Sequence, residues 1–326
     1  MSSRYPFPAV PNGWFCIQDS AALGRGDVLP VGLLGRDLVV FRGTDDVARV
    51  FDAYCPHLGA HLGFGGRVCD DGISCPFHGW RFDGQGTVRE VPGLDRPPVA
   101  SLSPWIVCER NGKIFVWHHA GGAPPDREVV GYRTEESEWT PWRSTTYRAR
   151  VHVQDLTENI IDRSHFSAVH DMKPPENQHF EVTFPDDTMV VDQSLKVTAV
   201  DSTGYEVRTK TTVWGPGIVA VEVHQPPIEM LTYITQTPVD DELTDISLNF
   251  SMKCLPDAAA TESICKLNDE VTNAQFEQDV PIWEHKIYRA RPMVTKADGP
   301  IHQYRRWFSQ FYVTDAHPTR RVRQES

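Results

Sequence analysis

The chain has 326 residues and a formal net charge of −12 at pH 7, so it is long enough for two domains, and its acidic balance gives it no electrostatic affinity for nucleic acid. No run of about 18 apolar residues is present, so no transmembrane helix is predicted, and the first residues lack the apolar segment of a secretory signal. The seven cysteines are scattered and odd in number, which is typical of a reducing compartment, and we expect a soluble, cytoplasmic protein.

Short β-strands joined by tight turns are predicted for the first 120 residues. Apolar and β-branched runs predict strands at 37–42 and 48–53. The Asp-Gly and Asn-Gly pairs at 83–84 and 111–112 indicate hairpin turns. The sequence therefore predicts an all-β unit, and two loops of unusual composition interrupt its strands.

Each of these loops carries one cysteine and one histidine as candidate metal ligands, Cys55 with His57 and Cys75 with His78. Two thiolates and two imidazoles suit either zinc or an iron–sulfur centre. Glycines crowd both loops, at positions 59, 63, 65, 66 and 79. Because glycine lets backbone N–H groups approach bridging sulfides closely, which a zinc site does not need, the glycines favour the iron–sulfur centre.

The loop sequences resemble a known pair of motifs. Cys-Pro-His-Leu-Gly at 55–59 and Cys-Pro-Phe-His-Gly-Trp at 75–80 resemble the two cluster loops of Rieske proteins, in which two histidines hold the outer iron of a [2Fe–2S] cluster and two cysteines hold the inner iron. The resemblance implies four cluster ligands: Cys55, His57, Cys75 and His78.

The resemblance also indicates a subtype of Rieske centre. Respiratory Rieske proteins join their loops by a disulfide, but Ala60 and Phe77 occupy the two positions that this bridge would need. Trp80 replaces a serine that donates to a cluster sulfur in the respiratory type. Because fewer donors to the sulfurs lower the potential, we expect an electron relay supplied by a ferredoxin or a flavin reductase.

A boundary between two domains is predicted near residue 125. Gly-Gly-Ala-Pro-Pro at 121–125 cannot continue a strand or a helix, and charged residues follow it, so residues 121–140 are interpreted as a solvated crossing. We therefore expect a first domain at 1–125, a linker at 126–140 and a second domain at 141–326.

The second domain begins with a candidate metal-binding helix at 154–170. Glu158, Asp162 and His165 share one face of this helix by i, i+4, i+7 spacing. His170 would lie about 140° away from His165 on an ideal helix. Both histidines can therefore bind one metal only if the helix is distorted or ends there, by a π-bulge or a terminal turn.

The spacing Asp162-x-x-His165-x-x-x-x-His170 resembles the iron-binding motif of Rieske non-haem iron oxygenases. The resemblance implies that His165 and His170 belong to a two-histidine, one-carboxylate Fe(II) site with open positions for O2. It further implies that Asp162 accepts from Nδ1–H of His165 and bridges to His78 of a neighbouring subunit. Asn159, one turn earlier, is either a contact of the iron ligands or an ordinary helix-surface amide.

The third iron ligand is expected from a long helix predicted at 262–290. Pro281 lacks an N–H group and bends a helix in which it lies. A bend beside Asp279 would direct this carboxylate inward, so Asp279 is predicted as the third ligand. Glu277 and Glu284 are the alternatives.

Strands are predicted between the two helices, over 180–254, including separate strands at 189–191 and 195–200. An antiparallel sheet against the long helix fits this pattern. The family resemblance implies an α+β protein: an all-β Rieske [2Fe–2S] domain followed by a helix-grip (START-like) catalytic domain. It also implies a homotrimer in which the cluster of one subunit serves the iron of the next.

Two segments, 278–286 and 303–312, are similar to the ketosteroid 9α-hydroxylase and cholesterol 7-desaturase branch of this family. This similarity implies a Rieske-type monooxygenase that hydroxylates or desaturates a steroid-like or polycyclic hydrophobic substrate with O2. Because the sequence has no dinucleotide-binding fingerprint, NAD(P)H would act only through a separate reductase. Two alternatives stay open: a Rieske oxygenase or demethylase for a small aromatic acid or amine, and an electron-transfer Rieske ferredoxin.

Overall fold

The structure is a computed structural model that describes residues 4–132, 136–172, 179–198, 204–225 and 227–313. It has the predicted α+β architecture, with an N-terminal unit of small antiparallel sheets followed by a unit in which helices pack on one large antiparallel sheet. No helix within these ranges is long and apolar enough to cross a membrane.

Short strands build the N-terminal unit. They are β1 (Gly13–Asp19), β2 (Val28–Leu33), β3 (Arg36–Arg42), β4 (Ala48–Asp52), β5 (Arg67–Cys69), β6 (Gly72–Ser74), β7 (Arg81–Phe82), β8 (Val88–Glu90), β9 (Val107–Arg110) and β10 (Lys113–His118). In the described residues they form three antiparallel sheets, with the orders β1-β10-β9, β2-β3-β4 and β5-β6-β7-β8.

Strand β3 connects the core of this unit to the two loops that carry cysteine and histidine. Leu38 packs into one hydrophobic core, and Val39 on the opposite face packs into a second core that contains Cys55 and Cys75. A short continuous apolar run is what a strand covered on both faces requires. The same run therefore supports both loops from beneath.

One large sheet and four helices form the C-terminal unit in the described residues. The strands are β11 (Arg143–Ala149), β12 (Phe180–Thr183), β13 (Thr188–Thr198), β14 (Gly204–Trp214), β15 (Ile218–Gln225), β16 (Ile228–Pro238) and β17 (Thr244–Met252). The helices are α1 (Val153–Glu158), α2 (Arg163–Ala168), α3 (Ala258–His285) and α4 (Ile301–Phe308). The sheet order is β11-β17-β16-β15-β14-β13-β12, and all neighbours are antiparallel.

This sheet lies between the helices and the N-terminal unit. On one face Val219 packs in a core with Phe308 of α4. On the other face Tyr233 packs in a core with Trp14 and Trp117 of the N-terminal unit. Successive residues of a strand point to opposite faces, so the large sheet supports the helices on one side and the cluster-bearing unit on the other.

Four predicted elements, two helices and two strands, have different limits in the structure. The helix predicted at 154–170 is interrupted, and the helix predicted at 262–290 spans Ala258–His285. The separate strands predicted at 189–191 and 195–200 are one strand, β13, because its pairing with β14 continues through the polar residues that interrupt the apolar pattern.

The interpretation of residues 121–140 as a solvated crossing is wrong at the centre of the segment. Val129 is only 1% exposed and belongs to the core shared by the two units. The indole N–H of Trp14 donates to the carbonyl of Arg127 at 2.8 Å. The charged residues of the segment suggested that it is exposed to solvent. Burial of one apolar side chain among them, that of Val129, is enough to pack the segment against the core. The domain limits themselves stay a prediction.

Candidate metal centres

The two loops that carry cysteine and histidine have the same backbone conformation. The N–H of Gly59 donates to the carbonyl of Cys55 at 3.0 Å, and the N–H of Gly79 donates to the carbonyl of Cys75 at 3.1 Å. Both glycines are left-handed, with φ of +73° and +69°, a conformation that a side chain would disfavour. Each loop therefore closes on its cysteine with the same turn, although the histidine is two residues after Cys55 and three residues after Cys75.

The four predicted cluster ligands divide into an inner and an outer pair. Cys55 and Cys75 are 3% and 4% exposed, whereas His57 and His78 are exposed, with their ring centroids 4.7 Å apart. Burial raises the pKa of the Cys55 thiol to about 11, so its ionisation calls for a nearby positive charge such as iron. Buried thiols beneath paired surface imidazoles fit the donor arrangement of a Rieske cluster.

Three large apolar side chains are exposed in or between the two loops that carry cysteine and histidine. Leu58, Phe64 and Phe77 are 65%, 70% and 63% exposed, and we refer to these three residues as the apolar rim. The ring of His57 stacks on Trp80 at 4.7 Å with an interplanar angle of 10°, which fixes its orientation. An exposed apolar group beside a ligand pair is typical of a contact surface.

A second group of metal-binding side chains is assembled from two helical regions. One ligand atom from each of His165, His170 and Asp279 lies within 4.8 Å of the other two. Nε2 of His170 is 3.4 Å from Oδ2 of Asp279, and these side chains are only 3% and 10% exposed. The structure thus brings together the three residues predicted as iron ligands, and we refer to them as the triad.

An interruption of the first helical region allows both histidines to converge with Asp279. After α1, residues 159–161 form a 3₁₀ turn and Asp162 is extended, with φ −78° and ψ 101°. The carboxylate of Asp162 accepts from the N–H of Ser164 at 3.1 Å and caps α2. Because α2 ends at Ala168, His170 follows the helix and is free of its angular spacing. This is the terminal-turn alternative of the sequence analysis.

Hydrogen bonds orient both imidazoles. Nδ1–H of His165 donates to the backbone carbonyl of Asp162 at 2.5 Å, and Nδ1–H of His170 donates to Oε1 of Gln278 at 2.9 Å. Both bonds leave Nε2 as the metal-binding atom. Asp162 thus accepts from Nδ1–H of His165 as predicted, but the acceptor is its backbone carbonyl, while its carboxylate caps α2.

Asn159 contacts the triad directly. Its Nδ2 donates to Oδ2 of Asp279 at 3.0 Å and lies 3.2 Å from Nε2 of His165. The alternative of an ordinary helix-surface amide is therefore wrong for Asn159. Sequence reasoning missed Gln278 altogether, although its position directly before Asp279 was a usable signal.

Burial shifts the protonation of the triad in a direction that suits metal binding. Burial lowers the pKa of His165, which keeps its imidazole neutral and its lone pair available. Burial raises the pKa of Asp279, so a cation beside this carboxylate restores its ionised form. Two imidazoles and one carboxylate fit the donor preference of non-haem Fe(II).

The remaining acidic candidates lie outside the triad. Glu158, predicted on the face of His165, forms a bidentate ion pair with Arg305 at 2.5 and 2.7 Å. Among the described residues, the triad is the group of at least three metal-competent side chains that converge, and neither Glu277 nor Glu284 belongs to it. Glu158 does not share a face with His165 as predicted, because the break after α1 interrupts the helical spacing between them.

Two family models match the chain in the order of its two structural units. The Rieske [2Fe-2S] domain matches residues 13–107, and the 3-ketosteroid 9alpha-hydroxylase C-terminal domain matches residues 116–312. The first match contains both loops that carry cysteine and histidine. The second contains the whole triad.

Individual relatives align along nearly the whole chain. The chain is 30% identical over 321 residues to the oxygenase component of a 3-ketosteroid-9-alpha-monooxygenase from Rhodococcus rhodochrous, with 92% of this chain and 81% of the relative covered. It is 32% identical over 340 residues to cholesterol 7-desaturase nvd from Bombyx mori, with 96% and 71% covered.

Solved structures share the fold at lower identity. NdmA of Pseudomonas putida CBB5 superposes with a TM-score of 0.73 at 21% identity, covering 91% of this chain and 89% of that chain. Dicamba monooxygenase bound to dicamba superposes with a TM-score of 0.75 at 18% identity, covering 93% and 97%. These similarities concern the fold alone.

Proposed function

The chain belongs to the Rieske oxygenases that carry a 3-ketosteroid 9alpha-hydroxylase C-terminal domain, and we propose that it hydroxylates or desaturates a steroid-like or polycyclic hydrophobic substrate. The cofactors of this family are a Rieske [2Fe–2S] cluster and a mononuclear iron, which use O2 and electrons from a reductase to oxidise the substrate. The similarity to steroid- and sterol-oxidising relatives supports the substrate class.

The observation that carries the proposal is the convergence of the triad in a chain that also has the cluster loops. We assign His165, His170 and Asp279 as the ligands of Fe(II), and Cys55, His57, Cys75 and His78 as the ligands of the cluster. A ferredoxin would have no use for the buried triad, so simple electron transfer is the weaker function.

The chain's own residues would hold the Fe(II) ligands in one geometry. The carbonyl of Asp162 and Oε1 of Gln278 keep the imidazole protons on Nδ1, so both Nε2 atoms stay available as ligands. The amide of Asn159 donates to the carboxylate of Asp279 and restricts its rotation. Such contacts to ligands stabilise metal binding and tune its chemistry.

A carbon-rich substrate is supported by the apolar side chains on the helix-covered side of the sheet. Val191 and Val219 on the sheet, with half-buried Ile234 and Val221, belong to the core between the sheet and the helices. Sδ of Met172, two residues after His170, accepts from Gln275 of α3, so Met172 packs against α3. An apolar interior of this kind next to the helices suits a hydrophobic ligand and excludes water.

The proposal includes a homotrimer that passes electrons between subunits. The exposed imidazoles of His57 and His78 and the apolar rim support a contact with a second copy, since such a surface is costly to leave in water. Asp162, which lies beside His165, would contact His78 of the neighbouring subunit and so link the two centres. A ferredoxin or flavin reductase would supply the electrons, with NAD(P)H acting only through it, in the cytoplasm.

A second candidate function is oxidation or demethylation of a small aromatic acid or amine. NdmA and dicamba monooxygenase bound to dicamba share the fold, so the fold by itself does not distinguish this candidate from the first. The identities of 18–21% to these proteins are lower than the 30–32% to the steroid and sterol relatives, which places the steroid-like substrate first.

One experiment separates these functions. The anaerobically reconstituted protein is supplied with a surrogate reductase, and O2 uptake and product mass are measured over a panel of steroids and aromatic acids. We expect uptake coupled to a mass gain of one oxygen or a loss of two hydrogens with a steroid. Coupled turnover with aromatic acids alone would establish the second candidate, and electron transfer without coupled oxidation would indicate a ferredoxin.

A further inference from the structure

Two polar residues face each other on the helix-covered side of the large sheet. Gln193 of β13 lies directly opposite Thr209 of β14. Four residues earlier on β13 and four later on β14, the pair Met189 and Val213 belongs to the core shared with α4. Since residues two apart share a face, Gln193 and Thr209 point to the side of the sheet on which the helices lie.

Both side chains are buried without hydrogen-bond partners for their oxygens. Gln193 and Thr209 are 5% and 7% exposed. Within the described part of the chain, neither Oε1 of Gln193 nor Oγ1 of Thr209 has a partner. Their cross-strand neighbours, Phe180 and Val223, are apolar. A buried polar atom without a partner costs free energy, so two in adjacent positions indicate a missing ligand.

Contacts connect this polar pair to the metal-binding region. The guanidinium of Arg163 lies over the ring of Phe180, with 4.7 Å between Cζ and the ring centroid. Arg163 is the first residue of α2, the helix that carries His165. Phe180, which pairs with Gln193, therefore contacts the beginning of α2, so the polar pair lies on the side of the sheet that carries His165.

The long helix α3 supplies an independent observation. Nδ2 of Asn268 is also buried without a partner among the described residues. Asn268 precedes Asp279 by three helical turns, about 16 Å along the axis, and lies on the same face of α3. The face of α3 that carries Asp279 thus also presents an unsatisfied amide, about three turns away from this carboxylate.

We propose that Gln193 and Thr209 form a subsite that binds a hydroxyl substituent of the substrate, distinct from the carbon that is oxidised. This inference rests on the proposed function. Oε1 of Gln193 can only accept, whereas the hydroxyl of Thr209 both donates and accepts. A substrate hydroxyl satisfies both, by donating to Gln193 and accepting from Thr209. A ketone satisfies only Thr209, and a hydrocarbon satisfies neither.

The test is equilibrium binding under anaerobic conditions, measured by calorimetry on the holoenzyme. The probes are steroids that differ only in a hydroxyl, a keto group or hydrogen at C3, and a matching set at C17. In one of the two sets, we expect the hydroxyl form to bind about tenfold more tightly than the deoxy form. Thr209→Val and Gln193→Leu should each reduce this ratio to within about twofold, and Thr209→Ser, which keeps the hydroxyl, should preserve it.

Thr146→Val is the matched control, because Thr146 is an exposed residue of β11 opposite Ser247 of β17. The cluster absorption reports folding of each variant. An unchanged hydroxyl-to-deoxy ratio in both Thr209→Val and Gln193→Leu overturns the subsite and leaves the steroid function intact. Equal binding of all three forms by the unmodified protein also overturns it. Failure of every steroid to bind would reject the proposed function together with the subsite.

Discussion

The two loops that carry Cys55, His57, Cys75 and His78, which we call the tip of the N-terminal unit, and the triad are built in opposite ways. The tip takes its four candidate ligands from two short loops, and each loop is shaped by its own glycine and a local backbone bond. The triad takes His165 and His170 from one helical region and Asp279 from α3, more than a hundred residues later in the chain. One site is therefore local in sequence, and the other exists only after the sheet has brought its helices together.

The two sites also differ in exposure, and this difference matches their proposed tasks. The candidate imidazoles of the tip are exposed, whereas the side chains of His170 and Asp279 are 3% and 10% exposed. A group that exchanges electrons with another protein must reach the surface. A group that activates O2 must be shielded from water and from stray reductants. The comparison can be tested by damaging each site separately.

The largest effect is expected from removal of a thiol at the tip. Cys75→Ala deletes a candidate cluster ligand whose side chain is part of the core beneath β3, so we expect loss of the cluster absorption and EPR signal, and with them all turnover. Iron binding at the triad should persist, as measured by metal content after anaerobic Fe(II) loading. Normal cluster spectra in this variant would reject the assignment of Cys75.

Removal of a triad histidine should also stop turnover, but through loss of the iron while the cluster is kept. His170→Ala leaves the tip intact, so we expect the unmodified cluster EPR signal and reduction by the surrogate reductase, but no coupled O2 uptake and one iron fewer per chain. His165→Ala should behave in the same manner. If both variants retain turnover and iron content, the two-centre assignment is wrong.

A weaker effect is expected from the residue that orients His170. Gln278→Leu removes the acceptor of Nδ1–H, and loss of such a contact typically lowers metal affinity by about 10–100-fold. Anaerobic Fe(II) titration measures this affinity. Glu277→Gln is the control, since this neighbouring residue lies outside the triad and is exposed. Equal affinities for the two variants would contradict the role of Gln278.

The apolar rim tests whether the tip contacts a second copy. Phe64 is 70% exposed, so Phe64→Ser should leave the unfolding free energy of the subunit within about 0.5 kcal/mol. Loss of an apolar anchor from an interface weakens association by about tenfold or more, and light scattering over a concentration series measures it. Val99→Ser, at an exposed site outside the rim, should associate normally. Identical masses for the two variants at every concentration would count against the trimer contact.

The smallest effect at neutral pH is expected at His152, which supports the helix leading to the triad. Its Nδ1 accepts from the N–H of Gln154 at 3.0 Å and its Nε2–H donates to the carbonyl of Pro8 at 3.1 Å. Only a neutral ring can make both bonds, and burial lowers the pKa of His152 to about 4. The folded state thus binds this proton less tightly than the unfolded state, whose pKa is about 6.5.

Because the unfolded state binds more protons between these two pKa values, stability falls as the pH drops from about 6.5 to about 4, by about 3 kcal/mol in total for this residue. Urea unfolding at pH 7.5 and 4.5 measures the change. His152→Asn should lessen the acid destabilisation by that amount, whereas His224→Asn, at an exposed site, should not. An identical pH dependence in His152→Asn and the unmodified protein would exclude the effect.

The comparisons confirm the predicted family, fold class and enzyme type. The prediction succeeded where chemistry is local, because Cys55 with His57 and Cys75 with His78 are close in sequence. It also selected Asp279 as a partner of the histidines from the position of Pro281 in α3. The ligand roles of these residues stay predictions until iron is measured at each site.

The sequence could not predict the details that depend on a broken helix. Periodicity alone placed Glu158 beside His165, but the extended conformation of Asp162 separates them, and Glu158 pairs with Arg305 of α4 instead. Likewise, Gln278 and Asn159 acquire their contacts only because α1, α2 and α3 meet above one sheet. Side-chain spacing along a helix has no information about which distant helix it will face.

What the sequence determined by itself is the choice of donor atoms and the backbone turns that carry them, since these depend on residue identity and on neighbours a few positions away. Tertiary structure alone decided which carboxylate meets the histidines, that Gln193 and Thr209 are buried as a polar pair, and that Val129 is buried between the units. The physical reason is that burial and long-range contact are properties of the packed chain, and they set the pKa values, orientations and unsatisfied groups from which the chemistry follows.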